Sequence, residues 1–305
     1  MTINTSVEPS YPYRCGKVAI IGRPNVGKST LLNRLLGFKL SIVSRKPQTT
    51  RHRLSGILTR SQAQIIFLDT PGLHQPGKQL MSRYLNRVAR QTIEEADVLV
   101  HVIEASHWHA EDQQVVDAIK KSRQPCLLVI NKVDLVKDKK TLLLFIEQVN
   151  LIYKYSGVYL ISARRNQGLK ELEQGIIQHL SVAPPAYAED EITDRSERFL
   201  VAELIREQLM RQLNQELPYA ATVEIQQFTD DETLKRISAI IWVEREGQKP
   251  IVIGAGGERL KRIGSHARMA IENLLQARVF LQLWVRVREN WADSEAALKH
   301  LGYSD

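Results

Sequence analysis

The residues best suited to chemistry lie close together near the N-terminus: Gly22, Gly27, Lys28 and Ser29, in the spacing G-x-x-x-x-G-K-S, directly after the apolar run 18–21. Glycines in this pattern let backbone N–H groups curl around phosphate oxygens, and a helix starting at Lys28 adds the positive end of its dipole. Lys28 then reaches the β/γ-phosphates and the Ser29 hydroxyl completes a Mg²⁺ shell, with Arg23, Pro24, Asn25 and Val26 forming the loop and Thr30 extending it. A Gly-rich turn over a core strand has the same spacing, so further groups must support the reading. Asp69-Thr70-Pro71-Gly72 supplies a carboxylate for Mg²⁺, directly or through water, and a glycine N–H free of any Cβ to approach a γ-phosphate. Asn131-Lys132-Val133-Asp134 selects the base, because a carboxylate at Asp134 accepts from the guanine N1–H and amino group whereas adenine offers it lone pairs. Ser162-Ala163 brings a small residue and a backbone N–H for the guanine O6. Each stretch alone also reads as a turn or a helix cap. Four in this order, each closing a strand pattern, read as a site for GTP and GDP, with Lys28 and Gly72 on the phosphates.

The elements that must position these groups follow from periodicity. Short strand patterns at 53–59 and 64–68 are joined by the tight polar turn Arg60-Ser61-Gln62, which permits a hairpin and no parallel crossover. Helical and strand patterns then alternate: helix 81–94, strand 98–103, helix 111–121, strand 126–130, helix 139–154, strand 158–161, helix 169–180. Such alternation predicts an α/β, doubly wound, mostly parallel sheet covered on both faces. The stretch 38–53 is polar, basic and without steady period, and reads as a mobile loop.

At 305 residues the chain has room for two domains. No apolar run approaches the roughly 20 residues needed to span a bilayer, and residues 1–10 carry no signal-peptide core, so an intracellular protein is expected. Cys15, in the N-terminal lead-in, and Cys126, in an apolar strand, have no ligand or pair spacing and read as ordinary thiols. A net charge of +8 and pI near 9.4 point to an acidic partner such as nucleic acid or a membrane surface. His107-Trp108-His109 reads as a loop entering an acid-started helix rather than a metal site, and His74 as a solvated loop residue.

The constellation over about 15–180 resembles the translation-factor-related branch of the P-loop GTPases, and within it the group of Era, the tRNA-modifying GTPases and the tandem-GTPase ribosome-assembly factors. Asn25 in the phosphate loop, Thr49-Thr50 before Arg51, and Pro71 carry that resemblance. It implies that Thr50 or Thr49, with Thr50 preferred because it abuts Arg51, closes on Mg²⁺ when GTP is bound, and that Asn25 is a candidate K⁺ ligand. The position after Gly72, where a glutamine often orients the attacking water, holds Leu73, and no arginine is assignable as a cis finger. Slow intrinsic turnover is therefore expected, on the order of 10⁻⁴ to 10⁻² s⁻¹.

Pro184-Pro185 lies in a stiff polar stretch that separates a nucleotide-binding domain at 1–182 from a second domain at 195–305, with 183–194 as linker. Asp194 is placed to cap a helix running from 195 to about 216, ended by Pro218; strands at 221–228 and 234–244 follow, then Gly254-Ala255-Gly256-Gly257, a later helix at 265–277 and a strand at 279–287. An α-β-β-α-α-β order with a Gly-x-x-Gly turn reads as an α+β, type II KH-like domain whose turn brings backbone close to RNA phosphates. Gly256 stands where this loop often carries a basic residue, leaving Arg259, Lys261 and Arg262 to provide charge, and Ile and Val side chains are expected beneath the bases. The stretch 247–290 holds eight Lys/Arg against three Asp/Glu. With both domains in this order, and with Ile192-Thr193-Asp194-Arg195-Ser196-Glu197-Arg198 and Glu216-Leu217-Pro218-Tyr219 between them, nearly the whole chain resembles the Era family of bacterial ribosome-assembly GTPases. That resemblance implies binding to the 3′ end of small-subunit ribosomal RNA, contact with the immature small subunit, and peripheral association with the inner membrane. Nothing in the sequence reads DNA, and a cytoplasmic monomer is expected. The competing readings are a constitutive RNA-binding scaffold, in which nucleotide only stabilises the fold, and a GTPase regulator acting at the membrane or in the cell cycle.

Overall fold

A computed structural model describes residues 12–44, 46, 49–72, 79–214, 217–231 and 234–303. Expectations that fall on Gln48, Leu73, His74, Glu216 and most of 72–78 lie outside these residues. The chain forms two compact units: one from the described residues of Met1–Lys39, Arg53–Leu73 and Ala89–Asp194, the other from those of Leu40–His52, His74–Val88 and Arg195–Asp305.

In the first unit, β1 (Arg14–Ile21), α1 (Lys28–Leu36), β2 (Leu54–Thr59), β3 (Ala63–Asp69), the later turns of α2 (Leu80–Glu95), β4 (Val98–Glu104), α3 (Ala110–Ile119), β5 (Cys126–Asn131), α4 (Lys139–Ile152), β6 (Gly157–Leu160) and α5 (Leu169–His179) build one six-stranded sheet and its helices. The order is β2-β3-β1-β4-β5-β6. Only β2 runs antiparallel, pairing Leu54 with Asp69 and Thr59 with Gln64, so the short turn makes the expected hairpin. The other strands are parallel neighbours, which is why β1, β3, β4 and β5 read as nearly unbroken apolar runs: both of their faces are buried. Ala19, Ile21, Leu99 and Cys126 meet Ala89 and Ile93 of α2 and Val115 and Ile119 of α3 in one buried cluster. Parallel strands put their carboxyl ends along one edge, and the sheet order reverses at β1, where open α/β sheets form ligand crevices.

One expectation changes here: Cys15 is part of β1 and buried, not in a lead-in. The stretch after α5, read as stiff and polar, is tied down by hydrogen bonds: Cys15 N–H donates to Ser181 O at 3.1 Å, the Ala186 and Tyr187 N–H groups donate to Gln64 Oε1 at 2.8 and 2.9 Å, and Ile57 N–H donates to Ile192 O at 2.8 Å. The buried Gln64 side chain thus satisfies the two N–H groups that follow prolines unable to join a ladder.

In the second unit, α6 (Glu197–Gln212), β7 (Thr222–Asp231), β8 (Leu234–Val243), α7 (Lys249–Ile253), α8 (Glu258–Leu275), β9 (Val279–Val287) and α9 (Glu295–His300) surround a three-stranded sheet ordered β7-β8-β9, with β7 and β8 antiparallel and β8 and β9 parallel. The α-β-β-α-α-β order is as read from the sequence. The cap is not: Ser196, rather than Asp194, closes the start of α6, its Oγ accepting from Phe199 N–H. A single helix also passes through Gly264 where a later start near 265 was expected, since one interior glycine costs a helix only about 1 kcal/mol. Ile237, Ala239 and Val279 face Val201, Ile205, Ala267 and Ile271, so α6 and α8 cover one side of the sheet.

The same unit takes in the start of α2 and the end of the chain. Met81, Tyr84, Leu85 and Val88 pack with Trp291, Ala297, Leu298 and Tyr303, a cluster that periodicity alone did not indicate.

A candidate nucleotide site and a candidate RNA surface

The nucleotide site is assembled at the carboxyl edge of the first unit's sheet. Gly22 leaves β1 with φ 149°, Asn25 and Gly27 have φ 66° and 106°, and α1 begins at Lys28. A Cβ on Gly27 would lie 2.3 Å from Asn131 Nδ2, and one on Gly72 would lie 2.9 Å from Pro24 N and 3.1 Å from Lys28 Nζ. The cradle therefore closes only with glycine at both positions. Lys28 is buried and donates to Gly22 O and Arg23 O, each at 2.9 Å. Burial pushes its ammonium down to about 8 despite the carboxylate of Asp69 nearby. A desolvated cation held by loop carbonyls is a ready partner for phosphate. Ser29 Oγ donates to Asp69 Oδ2 at 3.1 Å, which pairs the hydroxyl and carboxylate oxygens that a hard divalent cation takes. The residues present thus fit a nucleoside triphosphate with Mg²⁺.

The base end is built by side chains that brace loops. Asn131 Nδ2 donates to Val26 O at 2.8 Å, and its Oδ1 accepts from Lys132 N–H at 2.8 Å and Ala163 N–H at 3.0 Å. Asn131 therefore ties the phosphate loop to the loop after β6. Asp134 sits in a short 3-10 turn, Val133–Leu135, where Ser162 Oγ donates to it at 2.6 Å and Arg165 Nε lies 3.6 Å away. The Ser162 hydroxyl first, and the arginine charge beside it, hold this carboxyl below the usual range, so it stays an anionic acceptor. Thr70 Oγ1 donates to Ile20 O at 3.1 Å and secures the end of β3.

One network was missed. Arg23 pairs with Glu104 and with buried Asp112, each at 3.1 Å, and Lys132 Nζ reaches the same Glu104 oxygen at 2.9 Å. Burial works to raise the Glu104 pKa, but Lys132 and Arg23 outweigh it and keep it an anion. Glu104 ends β4, and applying to that strand the strand-end rule used for the others finds it. Arg23 is committed to these carboxylates.

Thr50 belongs to the second unit, where the described residues of 40–52 are held by α6 and by the stretch between α6 and β7. Val43 N–H donates to Glu207 Oε1 at 3.0 Å, Lys46 Nζ donates to Leu213 O, and Arg206 donates to Thr49 O. Arg206 is itself paired bidentately with buried Glu203 at 2.6–2.7 Å. Arg51, 2% exposed, donates to Ala221 O at 2.9 Å and to Pro218 O and Tyr219 O at 3.1 and 2.8 Å. His52 stacks on Tyr303 with ring centroids 4.4 Å apart and meets the edge of Phe199; burial pushes it down to about 4. Far from being loose, the described residues of this segment are a packed part of the second unit.

That unit also carries the Gly-x-x-Gly turn. Gly254, Gly256 and Gly257 all have positive φ, and a Cβ on Gly256 or Gly257 would meet nothing within 4 Å, so their backbone is open to a ligand. Beside the turn a groove of about 450 Å³ is lined by Gly257, Leu260, Lys261, Gly264, Ser265, Arg268, Leu281 and Leu283. Its apolar floor is leucine from α8 and β9, where isoleucine and valine were expected. Lys261 lines it with Arg268, which the sequence pattern did not single out; Arg259 is turned back to donate to Ile251 O at 2.5 Å, and Arg262 is exposed on α8 outside the lining.

Fold and site together define a P-loop GTP-binding protein joined to a KH module. Residues 17–132 match the family model described as 50S ribosome-binding GTPase, and 216–292 match the KH domain. GTPase Era of Stenotrophomonas maltophilia (strain R551-3) is 56% identical over 292 residues, covering 96% of this chain and 98% of that one; GTPase Era of Xylella fastidiosa (strain Temecula1) is 54% identical with the same coverage. Two solved structures each match with a TM-score of 0.93 over 96% of this chain and 100% of theirs: Era in complex with MgGDPNP and nucleotides 1506–1542 of 16S ribosomal RNA, 38% identical, and a variant of Aquifex aeolicus Era bound to GDP·AlF4⁻, 39% identical. The chain belongs to the Era family of GTPases.

Proposed function

We infer that the protein is a GTP-hydrolysing switch that binds the 3′ end of small-subunit ribosomal RNA and acts in assembly of the small ribosomal subunit. The observation that carries this is the convergence of Lys28, Ser29 with Asp69, the Asn131 brace and Asp134 at one sheet edge, in a chain whose other unit holds an open Gly-x-x-Gly turn beside a basic groove. Relatives lend support: one solved Era holds a GTP analogue, Mg²⁺ and 16S ribosomal RNA together, and another holds GDP with AlF4⁻.

Bound Mg²⁺ neutralises charge developing on the phosphates. The chain's own part is to grip and orient. Lys28 and the N–H groups of Gly22–Thr30 apart from Pro24, which has none, would hold the phosphates, the Gly72 N–H would take the γ-phosphate, Ser29, Asp69 and Thr50 would provide oxygens for the ion, and Lys132, Asp134, Ser162 and Ala163 would hold the base. Asn25 is a K⁺ ligand in this reading. Gly254–Gly257, Lys261 and Arg262 face RNA phosphates, while Arg259 fixes the turn from behind. Function divides at 183–194, between 1–182 and 195–305. Among the described residues no helix is long and apolar enough to cross a membrane. The proposed place of work is the cytoplasm, with the basic surface allowing peripheral association at the inner membrane.

Calorimetry with GTP and ATP, followed by RNA titration of the wild type and of Gly256→Asp with Gly257→Asp, tests the scheme. GTP must outcompete ATP, and the double variant must lose RNA while keeping GTP. ATP preference ends the nucleotide assignment, and intact RNA affinity in the double variant ends the turn assignment.

A further inference from the structure

The sheet of the second unit has two sides, and α6 and α8 cover only one. On the other, β8 presents Arg236, Ser238, Ile240 and Trp242 directly opposite Phe280, Gln282, Trp284 and Arg286 of β9. Phe280 and Trp284 are 45% and 43% exposed, a large aromatic area to leave in water. The Arg236 guanidinium lies over the Phe280 ring, 5.9 Å from its centroid. Charge on this side is segregated. Near β7, Glu224 accepts from Trp242 Nε1 at 2.7 Å and Asp231 pairs with Arg236 at 3.2 Å, so the acids there are occupied. At β9, Arg278 and Arg286 have no ion pair among the described residues and are exposed.

Exposed aromatic faces flanked by unpaired arginines fit a polyanion that carries flat bases: single-stranded nucleic acid stacks on such rings with little regard for sequence, and arginine meets the phosphates between. At a rise of about 3.3 Å per residue, Phe280 and Trp284 stand about 13 Å apart, with Gln282 between them offering donors and an acceptor to a base edge. Strand β9 is an edge of the sheet, and its alternate residues Leu281 and Leu283 line the groove beside the Gly-x-x-Gly turn. One strand's width therefore separates that groove from the aromatic side.

We propose that the outer face of β8 and β9 is a second contact surface for single-stranded RNA, in which Phe280 and Trp284 stack unpaired bases and Arg278 and Arg286 take phosphates, extending the path of a strand that lies in the groove and turns over the β9 edge. This rests on the RNA-binding reading above, and the experiment separates the two.

The probe is a fluorescently labelled RNA of nucleotides 1506–1542 of 16S ribosomal RNA, titrated into the full chain. Phe280→Ala with Trp284→Ala should weaken binding at least tenfold, since each stacked base is worth about fivefold or more and two are lost, while GTP binding stays unchanged. Should that variant fold poorly, Trp284→Phe keeps the stack: its affinity should stay near the wild type, but the tryptophan quenching that RNA produces should shrink. Wild-type affinity in Phe280→Ala with Trp284→Ala, alongside loss in Gly256→Asp with Gly257→Asp, overturns the outer surface and leaves the groove standing. No change in either variant removes the RNA reading itself. Unaltered RNA affinity with lost binding to small-subunit precursor particles assigns the face to a protein and likewise overturns the proposal.

Discussion

Lys28 and Asp134 are tuned in opposite ways by their surroundings. Lys28 has lost its water and titrates at about 8 against an ordinary 10.5, so between these values the unfolded chain binds more protons than the fold. Without nucleotide, stability should gain about 2 kcal/mol from this group between pH 8 and 10, a rise that Lys28→Met should lack in urea unfolding at the two pH values. The same neutralisation should weaken GTP binding above pH 8 in the wild type, and Lys28→Met should fail to bind at any pH. Asp134 is kept ionised by Ser162. Asp134→Asn replaces an acceptor by an amide that can donate to the second carbonyl of xanthine, so GTP affinity should fall about 100-fold or more while xanthosine triphosphate gains. Calorimetry reads both, and an unaltered GTP affinity would remove Asp134 from the site.

The decisive element is the segment 40–52. Arg51 satisfies three main-chain carbonyls from inside the second unit, and Arg51→Ala leaves them and a cavity behind at a cost of about 3–5 kcal/mol in denaturant unfolding. His52 is held neutral at about 4 between Tyr303 and Phe199, against 6.5 in the unfolded chain. The unfolded chain gains the proton first as pH falls, so stability drops across that window, by about 2 kcal/mol from this group between pH 7 and 5. His101 in the first unit, at about 3, adds a loss of the same sign. His52→Phe keeps the aromatic packing and should remove only the His52 share. An acid profile identical to the wild type would show that His52 is already solvated.

At the scale of the whole molecule, the loop assigned to sensing Mg²⁺ through Thr50 is built into the unit that bears the Gly-x-x-Gly turn. Nucleotide can shift RNA affinity only if the two nucleotide states differ in what they do to that unit. RNA should bind more tightly with a non-hydrolysable GTP analogue than with GDP, and folded protein carrying a loosened loop, such as Arg51→Lys, should show a smaller difference. Equal affinities in the wild type would leave a scaffold that merely holds nucleotide. Arg23 is occupied by Glu104 and Asp112, so it offers no free guanidinium to the phosphates, and turnover of the isolated protein should stay within about 10⁻⁴ to 10⁻² s⁻¹. A single-turnover rate above about 1 s⁻¹ would mean that the chain carries its own stabilising group.

Local pattern was enough for much of this protein. The alternation of strands and helices along the α/β unit, the β2–β3 hairpin and the phosphate loop were all legible because period, glycine spacing and strand-end position act over a few residues. What tertiary structure alone decided depends on partners distant in the chain. Gln64 satisfies backbone at 186 and 187, Glu104 joins Arg23 to Lys132, Asn131 spends its amide bracing two loops, and Arg51 takes the carbonyls of Pro218, Tyr219 and Ala221. Sequence declares that a glutamine or an arginine can bond, but burial makes that bond obligatory, and which group becomes buried beside it is settled only when the chain has folded.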